Sequence, residues 1–184
     1  MKKVIISILG QDKPGIIAAV SKILFEQNCN IENVSQTILQ TEFSGIFIAT
    51  VSEDLSANDL HEHLTKQLRP LSLQAYVKNL EQKELNTNSP DPEPFIITTK
   101  GPDRKGLVAN ITEIIARHGV NVTNLQAVFK GGDDPNKNLM IYEVDIPKYT
   151  DQESLYTELR EKAAALGLDI SIQHRNIFEA INQI

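Results

Sequence analysis

Gly10-Gln11-Asp12-Lys13-Pro14-Gly15-Ile16-Ile17-Ala18 recurs later in the chain as Gly101-Pro102-Asp103-Arg104-Lys105-Gly106-Leu107-Val108-Ala109. Without gaps, Gly10 falls on Gly101, Asp12 on Asp103, Lys13 on Arg104, Gly15 on Gly106 and Ala18 on Ala109. The register holds onward through Ile23 and Ile114, Asn30 and Asn121, and Asn33 and Asn124. Between these identities the apolar positions agree: Ile16 with Leu107, Ile17 with Val108, Val20 with Ile111, and Ile31 with Val122. Glycine and polar anchors kept in one constant register mark a duplicated domain.

Outward from the loop, each half reads as strand, helix, strand, strand, helix, strand. Val4 to Leu9 is a β-branched run suited to a buried strand. Ile16, Ile17, Val20, Ile23 and Leu24 follow helical spacing to about Gln27. Ile31 to Thr41 and Gly45 to Val51 read as strands. Ser56 caps a helix carrying Leu60, Leu64 and Leu68, Pro70 stops it, and Leu71 to Leu80 closes the unit. In the second half, strands are expected at Phe95 to Thr99, Asn121 to Lys130, Leu139 to Ile146 and Leu168 to His174. Helices are expected from Leu107 to about His118-Gly119 and from Asp151 to Gly167. The polar loop from Gly131 to Asn138 is longer than its counterpart Glu42-Phe43-Ser44, so the copies have diverged there.

Prolines alternate at Pro90, Pro92 and Pro94, which favours an extended linker. The expected organisation is a domain at 1–81, a linker at 82–94, a second domain at 95–176 and a helical tail at 177–184. A β-α-β-β-α-β unit is the ferredoxin-like split βαβ motif, an α+β fold. Its right-handed crossovers give a four-stranded antiparallel sheet with both helices on one face. The other sheet face, where apolar, is to be covered by pairing, edge to edge within the chain or between two chains. Because small units bury a modest core, a homo-oligomer, a dimer, is expected.

A chain of 184 residues that is 41% hydrophobic and 23% charged is ordinary globular protein. Its formal net charge of -6, with no basic cluster, argues against direct nucleic-acid binding. The apolar run after Met1-Lys2-Lys3 ends too early for a signal peptide and reads as a core strand. No apolar stretch approaches the roughly 20 residues of a membrane span, so no membrane partner is expected. One cysteine, Cys29, leaves no internal disulfide, in keeping with the cytoplasm.

Chemistry is concentrated in the repeated loop. Glycine there allows a sharp turn and a close approach to a ligand. The helix behind it offers unpaired N–H groups and a positive dipole end to a carboxylate. Lys13 and Arg104 add positive charge, and Asp12 or Asp103 could receive an ammonium, so a zwitterionic amino acid satisfies the whole set. The same residues admit a plainer reading, in which the aspartate caps the helix and the glycine makes the turn. Asn30 and Asn121 could be turn residues or ligand contacts, whereas Asn33 and Asn124, inside the strand, suggest a purpose beyond the turn.

Gly-x-Asp-Lys-Pro-Gly-Ile-Ile-Ala followed by Asn-x-Asn-Ile-x-Asn resembles an ACT domain, a small regulatory module that binds amino acids. The tandem arrangement with the ending His174-Arg175-Asn176-Ile177-Phe178-Glu179-Ala180-Ile181 is similar to the glycine cleavage system transcriptional repressor group. The resemblance implies ligands at interfaces between ACT domains, touched by the first loop and the start of the second strand. On this chain those positions are Asp12, Pro14, Gly15, Ile16, Asn30 and Ile31, then Asp103, Gly106, Leu107, Asn121 and Val122. Lys105 stands where the first copy has Pro14, so the two sites need not be equal. It also implies a small amino acid, glycine or serine, as ligand and action through a partner regulatory protein.

Other signals carry less. His61 and His63 are two apart on a helix and face apart, and His118 and His174 read as surface residues. Cys29 has no nearby histidine and reads as an inert thiol. Asp133-Asp134-Pro135-Asn136 has oxygen donors but no EF-hand spacing. No phosphate, dinucleotide or nucleophile motif is present, so no cofactor, metal or catalytic residue is expected. The competing functions are an amino-acid-responsive regulator, a protein-interaction adaptor without a ligand and, least supported, a small enzyme.

Overall fold

The computed structural model describes residues 2–81, 91–128 and 138–182, with side chains to 178. The Asp133–Asn136 oxygen cluster, residues 82–90 of the linker and the strand end at Lys130 lie outside the described residues. The chain divides into two compact units, Met1–Leu85 and Asn86–Ile184.

The first unit runs β1 (Lys2–Gln11), α1 (Ile16–Glu26), β2 (Asn30–Leu39), β3 (Glu42–Val51), α2 (Ala57–Leu68) and β4 (Gln74–Asn79). Its sheet has the order β2-β3-β1-β4, with all neighbours antiparallel. The second unit repeats this as β5 (Glu93–Gly101), α3 (Leu107–Arg117), β6 (Asn121–Val128), β7 (Asn138–Ile146), α4 (Gln152–Ala165) and β8 (Asp169–His174), in the order β6-β7-β5-β8. A further helix, α5 (Arg175–Asn182), follows β8 directly. The two ferredoxin-like units of the sequence reading are therefore present. Among the described residues, no helix is long and apolar enough to cross a membrane.

Each core lies between one sheet face and its two helices. In β1 the side chains alternate, so Val4, Ile6 and Ile8 are buried against Ile16, Val20, Ile23 and Leu24 of α1 and Leu60, Leu64 and Leu68 of α2. The second core repeats the plan with Ile97, Leu107, Ile111, Ile115, Tyr142, Leu155 and Leu159.

The α2 start is a capping box: Asp59 N–H donates to Ser56 Oγ at 3.0 Å, and the Asp59 carboxylate accepts from Ser56 N–H at 3.3 Å. The Ser56 hydroxyl, then its N–H, holds the Asp59 carboxyl below the usual range. A depressed carboxylate stabilises the fold above its unfolded pKa, and that support is lost as pH falls through the folded pKa. Ser56→Ala is expected to cost the first unit about 1 kcal/mol in denaturant unfolding. In the variant, acidification should also lower stability less than in the parent.

Several boundaries differ from expectation. Glu42-Phe43-Ser44, expected as the turn, belongs to β3 because the chain already reverses at Gln40 and Thr41, and Asn138, expected as loop, begins β7. Pro70 does not simply end α2; it sits in a 3-10 turn, Arg69–Leu71, followed by Ser72 at φ 55. That turn consumes Leu71 to Leu73, so β4 begins only at Gln74. Glu93 and Pro94, read as linker, pair with Ile146 and Asp145 in β7. Proline is tolerated there because β8 pairs only from Phe95 onward, leaving that edge without a ladder bond to lose. The terminal helix starts at Arg175 because the His174 ring Nδ1 accepts the Asn176 N–H at 3.3 Å.

Candidate functional site

The repeated loop uses its glycines in two ways. Gly10, next to last in β1, and Gly101, last in β5, lie against the turns before β4 and β8; a Cβ would lie 2.8 Å from Leu73 Cδ2 in the first unit and 2.8 Å from Leu168 Cδ2 in the second. Gly15 and Gly106 are left-handed, at φ 94 and φ 86, and hold the N-cap positions of α1 and α3. Among the described residues, neither helix has a side-chain cap. The alternative that Asp12 and Asp103 cap the helices is thus not what the structure shows. The first helical bond runs from Ala19 N–H to Gly15 O at 2.9 Å, so the earlier N–H groups of α1 stay available.

In the first unit this helix start opens into a cleft of about 470 Å³ lined by Asp12, Lys13, Gly15, Ile16, Ile17, Ala18, Gln36 and Phe43. The loop is fixed to the β2–β3 hairpin, since Asp12 N–H donates to Thr41 O at 2.8 Å. Sequence reasoning missed Gln36 and Phe43. The available signal was Phe43-Ser44-Gly45: alternate residues of a strand share a face, and the Phe43 ring lies over Gly45, where a Cβ would meet it at 2.7 Å. Gln36 pairs with that glycine from β2. Charge, open backbone donors and an apolar wall together suit a small zwitterion.

The strand-start residues are elsewhere. Gln11 pairs with Glu42 while Asn30 pairs with Thr50, which puts Asn30 and Ile31 roughly 25 Å along the sheet from the loop. Asn121 and Val122 are likewise displaced from Asp103, Gly106 and Leu107, because Gly101 pairs with Asn138 and Asn121 with Asp145. Within one unit, Asp12, Gly15 and Ile16 line the cleft while Pro14, in the same loop, does not, and Asn30 and Ile31 do not join them.

A bulge recurs at the strand start, between Ile31 and Asn33 and between Val122 and Asn124. In the first unit the bulged Glu32 accepts from Lys3 at 2.6 Å and from the Thr50 hydroxyl. Lys3 first, and Thr50 after it, hold its carboxyl below the usual range. In the second, Asn124 Nδ2 donates to Glu143 Oε1 at 2.8 Å, so its amide serves the sheet.

Both other histidine readings need correction. His118 is half-buried where α3 ends, with Nε2 3.3 Å from Glu158 Oε1 while Arg117 donates to Glu158 Oε2 at 2.8 Å. Its position just past the helix puts it against α4. His174 meets the Phe95 ring edge-on at 5.3 Å. His61 is half-buried and His63 exposed, in line with different faces of α2. Burial pushes the Cys29 thiol up, away from the reactive thiolate. Among the described residues, no three His, Cys, Asp or Glu side chains gather as a metal site.

Residues 2–78 and 93–173 each match the ACT domain family. Over 80 residues, 43% of this chain, it is 36% identical to the UPF0237 protein of Methanopyrus kandleri, of which 89% is covered. Over 93 residues, 50% of this chain, it is 40% identical to the UPF0237 protein of Methanococcus maripaludis, of which 99% is covered. Among solved structures, a protein from Galdieria sulphuraria superposes with TM-score 0.76 at 20% identity, covering 94% of this chain and 98% of that one. A second, provisionally named a glycine cleavage system transcriptional repressor, superposes with TM-score 0.64 at 18% identity, covering 94% and 96%. At these identities the two structures speak to the fold.

Proposed function

Because the chain belongs to the ACT domain family, we propose that it is a cytoplasmic amino-acid-sensing regulatory protein and not an enzyme. The observation that carries this reading is the uncapped start of α1, opening into a cleft that also presents Lys13 and Asp12. A carboxylate takes the free N–H groups and the dipole end, and an ammonium takes Asp12. A small amino acid, glycine or serine, is the proposed ligand, in line with the provisional name of the 18%-identical neighbour.

Asn30 and Ile31 serve the loop of a second copy of the chain, so the working form is a homo-oligomer. Ligand acts by favouring one arrangement over another, and the signal passes to a partner regulatory protein on transcription or metabolism. The net charge of -6 supports a route without direct nucleic-acid contact. A second reading, a protein-interaction adaptor, draws on Val34, Ile38 and Leu39, which are exposed on the edge strand β2.

Ala18→Asp separates ligand from scaffold. Ala18 is exposed in the first turn of α1, so a carboxylate there favours the helix by about 0.3–1 kcal/mol. The same charge repels an incoming carboxylate. The parent should show a concentration-dependent rise in stability with glycine, near 2.7 kcal/mol at about 100 times Kd. The variant should be at least as stable without ligand and lose that rise. An unchanged ligand response would remove α1 from the site, and no response to any of the twenty amino acids would leave the adaptor reading.

A further inference from the structure

The repeats differ in one concentrated place, the end of each core beneath the uncapped helix. Ile8 pairs with Gly45 where Thr99 pairs with Met140; Gly10 pairs with Phe43 where Gly101 pairs with Asn138; Ile6 pairs with Phe47 where Ile97 pairs with Tyr142. Ile8, Phe43 and Phe47 are thus replaced by Thr99, Asn138 and Tyr142, three apolar side chains by three that form hydrogen bonds. All three are buried, Thr99 and Tyr142 fully and Asn138 at 4% exposure.

They are not equally satisfied. Tyr142 OH reaches the Met140 sulfur at 3.4 Å. Burial pushes the phenol up to about 12, and a hydrogen bond with the Thr99 side chain acts the other way. Among the described residues, both amide atoms of Asn138 lack a hydrogen-bond partner. A buried carboxamide with neither donor nor acceptor used is rare in a folded core and points to a missing partner.

Position says where that partner enters. Phe43, the counterpart of Asn138, lines the cleft at the start of α1 with Gly15, Ile16 and Gln36. By the shared register, Asn138 stands at the same point beneath Gly106 and Leu107, where α3 has no side-chain cap.

We propose that the second repeat holds its own amino-acid site, distinct in specificity, in which the α3 start takes the carboxylate and Asn138 pairs with a hydroxyl or carboxamide side chain. This rests on the amino-acid reading of the repeated loop. A carboxamide both donates and accepts, so its best match is a group that does the same. The first repeat presents the Phe43 ring at that point and selects for a small or absent side chain. One chain then answers to two classes of amino acid.

The test is calorimetric titration of the full chain with L-serine, L-asparagine, L-glutamine, glycine and L-alanine. It is repeated with Asn138→Leu, of similar volume, and Asn138→Ser, which keeps a polar group. Asn138→Leu should weaken serine, asparagine or glutamine by about tenfold or more, with glycine and alanine unchanged and Asn138→Ser intermediate. An unchanged ratio of polar to apolar affinities in a folded Asn138→Leu protein overturns the proposal and leaves the general site reading intact. Absence of saturable binding by all five removes both. Should the leucine variant not fold, the side-chain amide resonances of Asn138 in the parent decide. They should move with asparagine and not with alanine, and no movement with any polar amino acid overturns the proposal.

Discussion

Phe47→Ala is expected to remove about 3–5 kcal/mol from the first unit, the range for deleting a buried phenylalanine. Phe47 is fully buried on β3, which pairs with both β1 and β2, so its ring meets helices above and strands on either side. A unit of this size has roughly 4–12 kcal/mol in total at 0.05–0.15 kcal/mol per residue. The variant should therefore have a first unit close to unfolding at ambient temperature. The core of the second unit shares no residue with that of the first. Its resonances should persist in a heteronuclear correlation spectrum while those of residues 2–81 collapse. A single loss of both sets would show that the cores do not stand separately. The variant also assigns ligands, because an amino acid that still binds it must use the second repeat.

The fold was legible because duplication supplied an internal control. Either half alone offers short apolar runs that could be helix or strand, but Ile16, Val20 and Ile23 beside Leu107, Ile111 and Ile114 repeat one helical spacing twice. What stayed hidden was set by tertiary geometry. The Asn-x-Asn motif follows the loop closely in sequence, which invites placing both in one site. A β-α-β crossover returns the chain to the opposite end of the sheet, so β2 starts level with the start of β1 and far from the loop. His118 and His174 looked like surface residues because nothing local marks their partners; Glu158 and Phe95 are distant in sequence. Asn138 was read as loop, and its importance appears only when register sets it opposite Gly101, where the first copy has Phe43.

Gly101→Ala is expected to destabilise the second unit by about 1–3 kcal/mol, and Gly10→Ala the first by somewhat less. Intrinsic preference predicts the reverse sign, since glycine in a strand costs about 0.5–1 kcal/mol relative to alanine. The deciding observation is what the added methyl meets. At Gly101 it falls 2.9 Å from Gly167 O and 3.2 Å from Leu168 Cα; at Gly10 it falls 3.0 Å from Ser72 O and 3.4 Å from Leu73 Cα. These are backbone atoms, unable to step aside as a side-chain end can, and the tighter set belongs to the second unit. Leu73 Cδ2, by contrast, is such an end. Leu73→Ala costs stability alone, but in a Gly10→Ala background it should cost measurably less, with a positive coupling in a double-mutant cycle. Urea unfolding of the four proteins reads this directly, and a Gly10→Ala protein as stable as the parent would refute the close-packing role. Gly15→Ala forms a useful contrast, because nothing lies within 4 Å of its Cβ and only the φ of +94 opposes it. Loss of ligand response in Gly10→Ala without contact to the cleft would then show that strand-end packing aims the loop, since Gly10 precedes Asp12 by two residues and does not line the cleft.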